Sequence, residues 1–192
     1  MLERGYFQVS PRNNPFGEFF VRIFRKEWKG YSSIFEHPEL FKRIVTENPL
    51  LVVHPGYLGY LPRRDKSEID FKRYDQYLGR LRAKIADALE KKRAVMVFTP
   101  TAYLRETLSA LSYPQGVILL PTVDSSVTED DFLMQGPGYE FLEALAETVE
   151  SVEICGEVRE ECVMEVERRM ALHGAQVNYD ELCTFSPRQL SV

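Results

Sequence analysis

Four side chains of types that supply a nucleophile, a base or a charged clamp lie just past stretches of strand-like pattern: Cys162, His54, Glu157 and Arg159. Cys162 follows an apolar run, residues 152–155, and Gly156, and falls within the first turn or so of a helix-patterned stretch. Free N–H groups and a partial positive charge at a helix N-terminus favour a thiolate, the nucleophilic form of cysteine. The same position also suits a small core residue, because free cysteine is among the most buried types. His54 closes the apolar run 49–54 and could take a proton from a neighbouring thiol, or simply be hydrogen-bonded at a strand end. Glu157 and Arg159, close to Cys162 in sequence, would tune its thiolate in opposite directions.

The elements that must hold these residues follow from periodicity. Residues 152–179 read as strand, helix, strand. Val158, Cys162, Val163, Val166 and Met170 recur at helical spacing, and His173-Gly174 supplies a helix stop. Strand-like runs are predicted at 49–54, 94–98, 116–120, 152–155 and 175–179, with helices at 69–92, 102–111, 139–150 and after Gly156. Alternation of this kind predicts an α/β fold, a three-layer sandwich with a mainly parallel, Rossmann-like sheet. Such sheets bind ligands beyond the C-terminal ends of their strands. The remaining candidates for substrate binding lie at those ends: Gly56 and Tyr57 in a turn after the first strand, Thr99 after the second, and Thr122 after the third. Thr99 is also a candidate cap for the following helix. The basic loop Arg63, Arg64 and Lys66 could hold an anionic group or be solvated surface.

Gly156 followed by Cys162-Val163, with Gly174 and a further strand downstream, resembles the strand–Gly–turn–Cys–Val signature of isochorismatase-like cysteine hydrolases. The resemblance covers about residues 50–184. It implies an isochorismatase-like domain in which Cys162, opening the helix after the fourth strand, attacks the carbon of a small amide, a carbamoyl compound or a related substrate. It implies no cofactor and no metal. His54 stands where the family has an aspartate, and no lysine follows Lys92 to complete the family triad. The expected function is therefore a hydrolase of altered chemistry, with Cys162 as nucleophile and His54 moving the proton. The alternative is a catalytically lapsed relative that binds a small molecule or serves in assembly.

Composition narrows the classes. The chain has 192 residues, 44% of them hydrophobic, enough for one α/β domain at 49–192 preceded by an extension at 1–48. A net charge of -5 makes a nucleic-acid partner an unlikely expectation. Three separated cysteines, no long apolar run and no signal-peptide pattern lead to the expectation of a cytoplasmic protein without a membrane partner. With three histidines and no His-Glu-x-x-His or Cys-x-x-Cys, no metal site is expected. The extension reads as a β-hairpin followed by a short helix at 39–46, and in the hairpin arginines and lysines interleave with Tyr6, Phe7, Phe16, Phe19, Phe20, Phe24 and Trp28. Its aromatic face could pack on the domain or on a second copy, so a homo-oligomer is expected. Residues 186–192 read as a surface tail.

Overall fold

The computed structural model describes residues 48–60, 69–100, 104–122, 142 and 145–186, together with the backbone of three short strands in the extension. Those strands, β1 (Gln8–Val9), β2 (Phe19–Val21) and β3 (Ser32–Ser33), are ordered β1-β2-β3 and antiparallel. The aromatic side chains of the extension, the helix expected at 39–46, the basic loop at 62–67, the acidic positions Glu140 and Glu143, and the tail at 187–192 lie outside the described residues.

The domain is built on five parallel strands: β4 (Leu50–Val53), β5 (Val95–Pro100), β6 (Ile118–Thr122), β7 (Ser151–Glu157) and β8 (Gln176–Phe185). Their order is β6-β5-β4-β7-β8. The chain thus leaves β4 toward one edge and β7 toward the other, so the order reverses between these two neighbours. Leu50 to Val53 and Val95 to Phe98 are all fully buried, as strands covered on both faces require.

A short α1 (Tyr57–Tyr60) follows β4, and α2 (Phe71–Glu90) follows α1. Tyr74, Tyr77, Leu78, Leu81, Ile85 and Ala88 of α2 are buried at the expected i, i+3, i+4 spacing. The helix starts at Phe71 rather than Ile69 because the Asp70 carboxylate accepts a hydrogen bond from the Arg73 N–H at 3.1 Å, the ordinary N-cap arrangement. It stops at Glu90. Lys91, Lys92 and Arg93 lie just beyond the helix, which the periodicity extends to residue 92. Arg93 pairs with Glu153 of β7 and donates to the Asn48 carbonyl. Lys84 bridges Glu153 and Asp180, tying α2 to β7 and β8.

The helix α3 (Leu104–Ala110) joins β5 to β6, and a π-turn (Arg159–Val163) running into α4 (Met164–Leu172) joins β7 to β8. All five apolar positions predicted for the last helix face are buried. Three expectations need correction. Gly156 does not end its strand, because β7 continues through Glu157. A Cβ on Gly156 would lie 2.1 Å from the Val53 carbonyl oxygen, so glycine is what lets β4 and β7 pair there. The last strand does not end at Tyr179 either. It runs to Phe185 past an irregularity at Asp180, whose carboxylate accepts from the Leu182 and Cys183 N–H groups. Ser186, expected in the tail, is buried and donates its hydroxyl to Glu160.

Candidate functional site

Sheet register sets the site. Val53 is paired with Phe98 on one side and with Gly156 on the other. The next residues, Thr99, His54 and Glu157, therefore stand level across the three central strands at their C-terminal edge. All three are polar and all are buried. This is where the strand order reverses, the place where open α/β sheets hold ligands.

Glu157 is held by several donors. Its side chain projects from β7 on the same face as Glu153 and Cys155, toward α2. Oε1 accepts from the Gly56 N–H at 2.6 Å and from the Tyr74 hydroxyl at 2.9 Å, and Oε2 accepts from the Leu58 N–H at 3.0 Å. The Tyr57 N–H also favours the ionised form. Burial opposes these donors and dominates, pushing the carboxyl up to about 7. From its place near Cys162 in sequence, Glu157 is a substrate-binding candidate able to tune the thiolate. Here it clamps the turn that leads from β4 into α1.

Gly56, in that turn, has φ +90, and a Cβ there would lie 2.7 Å from the Glu106 carbonyl carbon of α3. The turn is thus held from the sheet by Glu157 and pressed against α3 from outside. His54 starts the same turn with φ +49, its N–H donating to the Phe98 carbonyl at 2.9 Å. Burial pushes its imidazole down to about 3, so it is neutral at ordinary pH.

Cys162 occupies the π-turn and is buried. Burial, reinforced by the charge of Glu161, pushes its thiol up to about 12, the direction opposite to an activated thiolate. The helix-terminus effect anticipated from sequence does not outweigh these two. Arg159 lies over the Tyr179 ring at 4.7 Å and pairs with Glu181 at 3.8 Å, so it is engaged at the β8 edge. Thr99, predicted as a cap or substrate contact, lies within β5 and shares a 2.7 Å hydrogen bond with Thr107 of α3. The backbone of Thr122 pairs with Pro100 at the end of β6; its side chain lies outside the described residues.

Next to the Glu157 clamp opens a cleft of about 310 Å³ lined by residues of α2, α3 and the β4–α1 turn. Gly56, Gly59, Leu78 and Ala110 give it small or apolar surface, Tyr74 an aromatic edge, and Arg82, Arg105, Glu106 and Ser109 its polar groups. Arg82 is oriented through its Nε, which donates to the Ala110 carbonyl at 2.6 Å. Of the predicted site residues, only Gly56 lines this cleft. Tyr74 and Leu78 read in sequence as ordinary helix core, and nothing in the sequence singles out Arg82 or Arg105. Only the crossing of α2, α3 and the turn brings them together.

Among the described residues, no group of three or more His, Cys, Asp or Glu is placed to hold a metal ion. No helix among them is long and apolar enough to cross a membrane. No protein-family model matches the chain, and no curated protein matches it.

Proposed function

We propose that this protein binds a small anionic molecule with an apolar body in the cleft between α2, α3 and the Gly56 turn. The observation that carries this reading is the placement of Arg82 and Arg105 around a concave, partly apolar cleft beside the strand-order reversal. A guanidinium pair suits a carboxylate, through charge-assisted hydrogen bonds. Tyr74 and Leu78 supply a wall for a ring or short aliphatic body, and Glu106 and Ser109 suit a donor group on the ligand. A hydroxylated aromatic carboxylate has all three features. At about 310 Å³ the cleft matches the small end of the range for ligand sites.

In this reading the domain is a three-layer, Rossmann-like sandwich used for binding, in keeping with a lapsed relative of the isochorismatase-like fold. The hydrolase reading is supported by the place of Cys162 just after β7, at the edge where such sheets work. It asks for a thiolate and for an imidazole basic enough to take its proton near neutral pH, whereas burial disfavours the thiolate and weakens the imidazole as a base. Binding therefore has the stronger support.

The test is calorimetric titration with 4-hydroxybenzoate. The wild type binds it, and Arg105→Glu, a change at an exposed position, weakens binding at least about tenfold, the scale of one lost charge-assisted hydrogen bond. Equal affinity in the two proteins would remove the cleft as the binding site.

A further inference from the structure

Among the described residues, the best-buried acid lies directly behind this cleft. Glu157 is 0% exposed, and two of its hydrogen-bond partners, Gly56 and Tyr74, form part of the cleft wall. We propose that Glu157, acting through Tyr74, couples occupancy of the cleft by an anion to the uptake of one proton. The inference rests on the binding reading above and names how that site is regulated.

The reasoning is one of donors and acceptors. Every identified partner of the carboxylate is a donor: the Gly56, Tyr57 and Leu58 N–H groups and the Tyr74 hydroxyl. Three of these are amides, which cannot become acceptors. The hydroxyl can, because it has lone pairs as well as a proton. When Glu157 takes a proton from solvent, the new carboxyl O–H has one partner able to accept it, the Tyr74 oxygen. Tyr74 must then turn its own proton away from Glu157. One proton enters, none leaves, and the negative charge behind the cleft disappears.

Both consequences favour an anion. The charge that would repel it is gone, and Tyr74 has a hydroxyl proton to donate elsewhere. Such neutralisation matters because burial leaves little solvent to screen Glu157. Among the described residues, the groups facing Glu157 supply no competing cation within its own shell. On α2 they are Tyr74 and Tyr77, both held neutral by burial and by the charge of Glu157 itself. Arg82 and Asp75 act on Tyr74 with opposite signs. Cys155 of the same strand and Cys183 of β8 act on Tyr77, and burial keeps both as thiols. His54, level with Glu157 on β4, is neutral. The acid is poised to titrate near neutrality, where a modest bias from a ligand shifts its state. By reciprocity, an anion that binds better at low pH raises the proton affinity of Glu157 by the same factor.

The experiment is titration of the full chain with 4-hydroxybenzoate, whose carboxylate stays ionised and whose phenol stays neutral between about pH 6 and about pH 8. It is run in two buffers of different ionisation enthalpy, so that protons taken up on binding are counted directly. Affinity is expected to rise on the order of tenfold from about pH 8 to about pH 6, within the usual range of site coupling. Net proton uptake should be largest near the midpoint. Glu157→Gln should bind with no such pH dependence and no proton uptake. Tyr74→Phe, which keeps the ring and removes only the relay hydroxyl, should fold even if Glu157→Gln does not, and should show a reduced pH dependence. Binding by the wild type that is independent of pH, or a pH dependence as large as the wild type's in Tyr74→Phe and in Glu157→Gln, would overturn the coupling while leaving the cleft reading in place. No binding at either pH would overturn both.

Discussion

Glu157 and His54 stand side by side and have been moved in opposite directions by the same burial, and their effects on stability oppose each other. Glu157 is raised from 4.5 to about 7, so its neutral form is favoured in the folded protein. Its contribution is fully present below about 4.5 and is lost as pH rises through about 7. At about 1.4 kcal/mol per unit, this amounts to something on the order of 3 kcal/mol. His54 is lowered from 6.5 to about 3, so its contribution is present above 6.5 and is lost as pH falls through about 3. Between about 4.5 and 6.5 the two slopes cancel. We predict a flat stability profile across that window in urea unfolding. Glu157→Gln should tilt it so that stability rises with pH, and His54→Asn, which tolerates the left-handed backbone at position 54, should tilt it the other way. An unchanged plateau in both variants would show that neither group titrates differently on folding. Sequence alone marked both residues as special but did not show what holds them. Nothing in the order of residues shows that Glu157 turns inward to the Gly56 turn, because that depends on how β4 and β7 are registered. The low thiol expected for Cys162 fails for a related reason: the π-turn buries it, and burial outweighs a helix end.

Among the elements, β7 carries the most consequence. It is central, and Gly156 lets it pass against the Val53 backbone with φ +141. Its successor Val158 is a β-branched residue at φ +59, so the chain turns sharply as soon as Glu157 has been delivered inward. Gly156→Ala should cost about 3 kcal/mol or more in chemical denaturation, since the added methyl meets backbone rather than a side chain that can move. A cost under about 1 kcal/mol would mean that β4 and β7 separate easily at this point. The strands and α2 were legible because buried parallel strands are continuous apolar runs and α2 keeps its apolar spacing for its whole length. The last strand was misread at its end. Asp180, Glu181 and the polar residues around them look like a loop, and an Asp180-capped irregularity does interrupt the ladder, yet pairing resumes at Thr184 and Phe185.

At the scale of the molecule, a five-stranded parallel sheet was readable from the alternation of runs, and its order was not. Periodicity tells which segments are strands. The neighbour of each is decided by crossovers and by tertiary ties such as Lys84 to Glu153 and Asp180. That order brings α2, α3 and the Gly56 turn around one cleft, which no local pattern in the sequence outlines. The most direct test is where a ligand touches the protein. In a titration of ¹⁵N-labelled protein with 4-hydroxybenzoate followed by NMR, a cleft ligand should shift the Gly56, Gly59, Ser109 and Ala110 amides together, with one saturation curve. Shifts confined to the amides around Cys162 and Val163, with those four unmoved at saturation, would contradict the cleft and return the cysteine to the centre of the site.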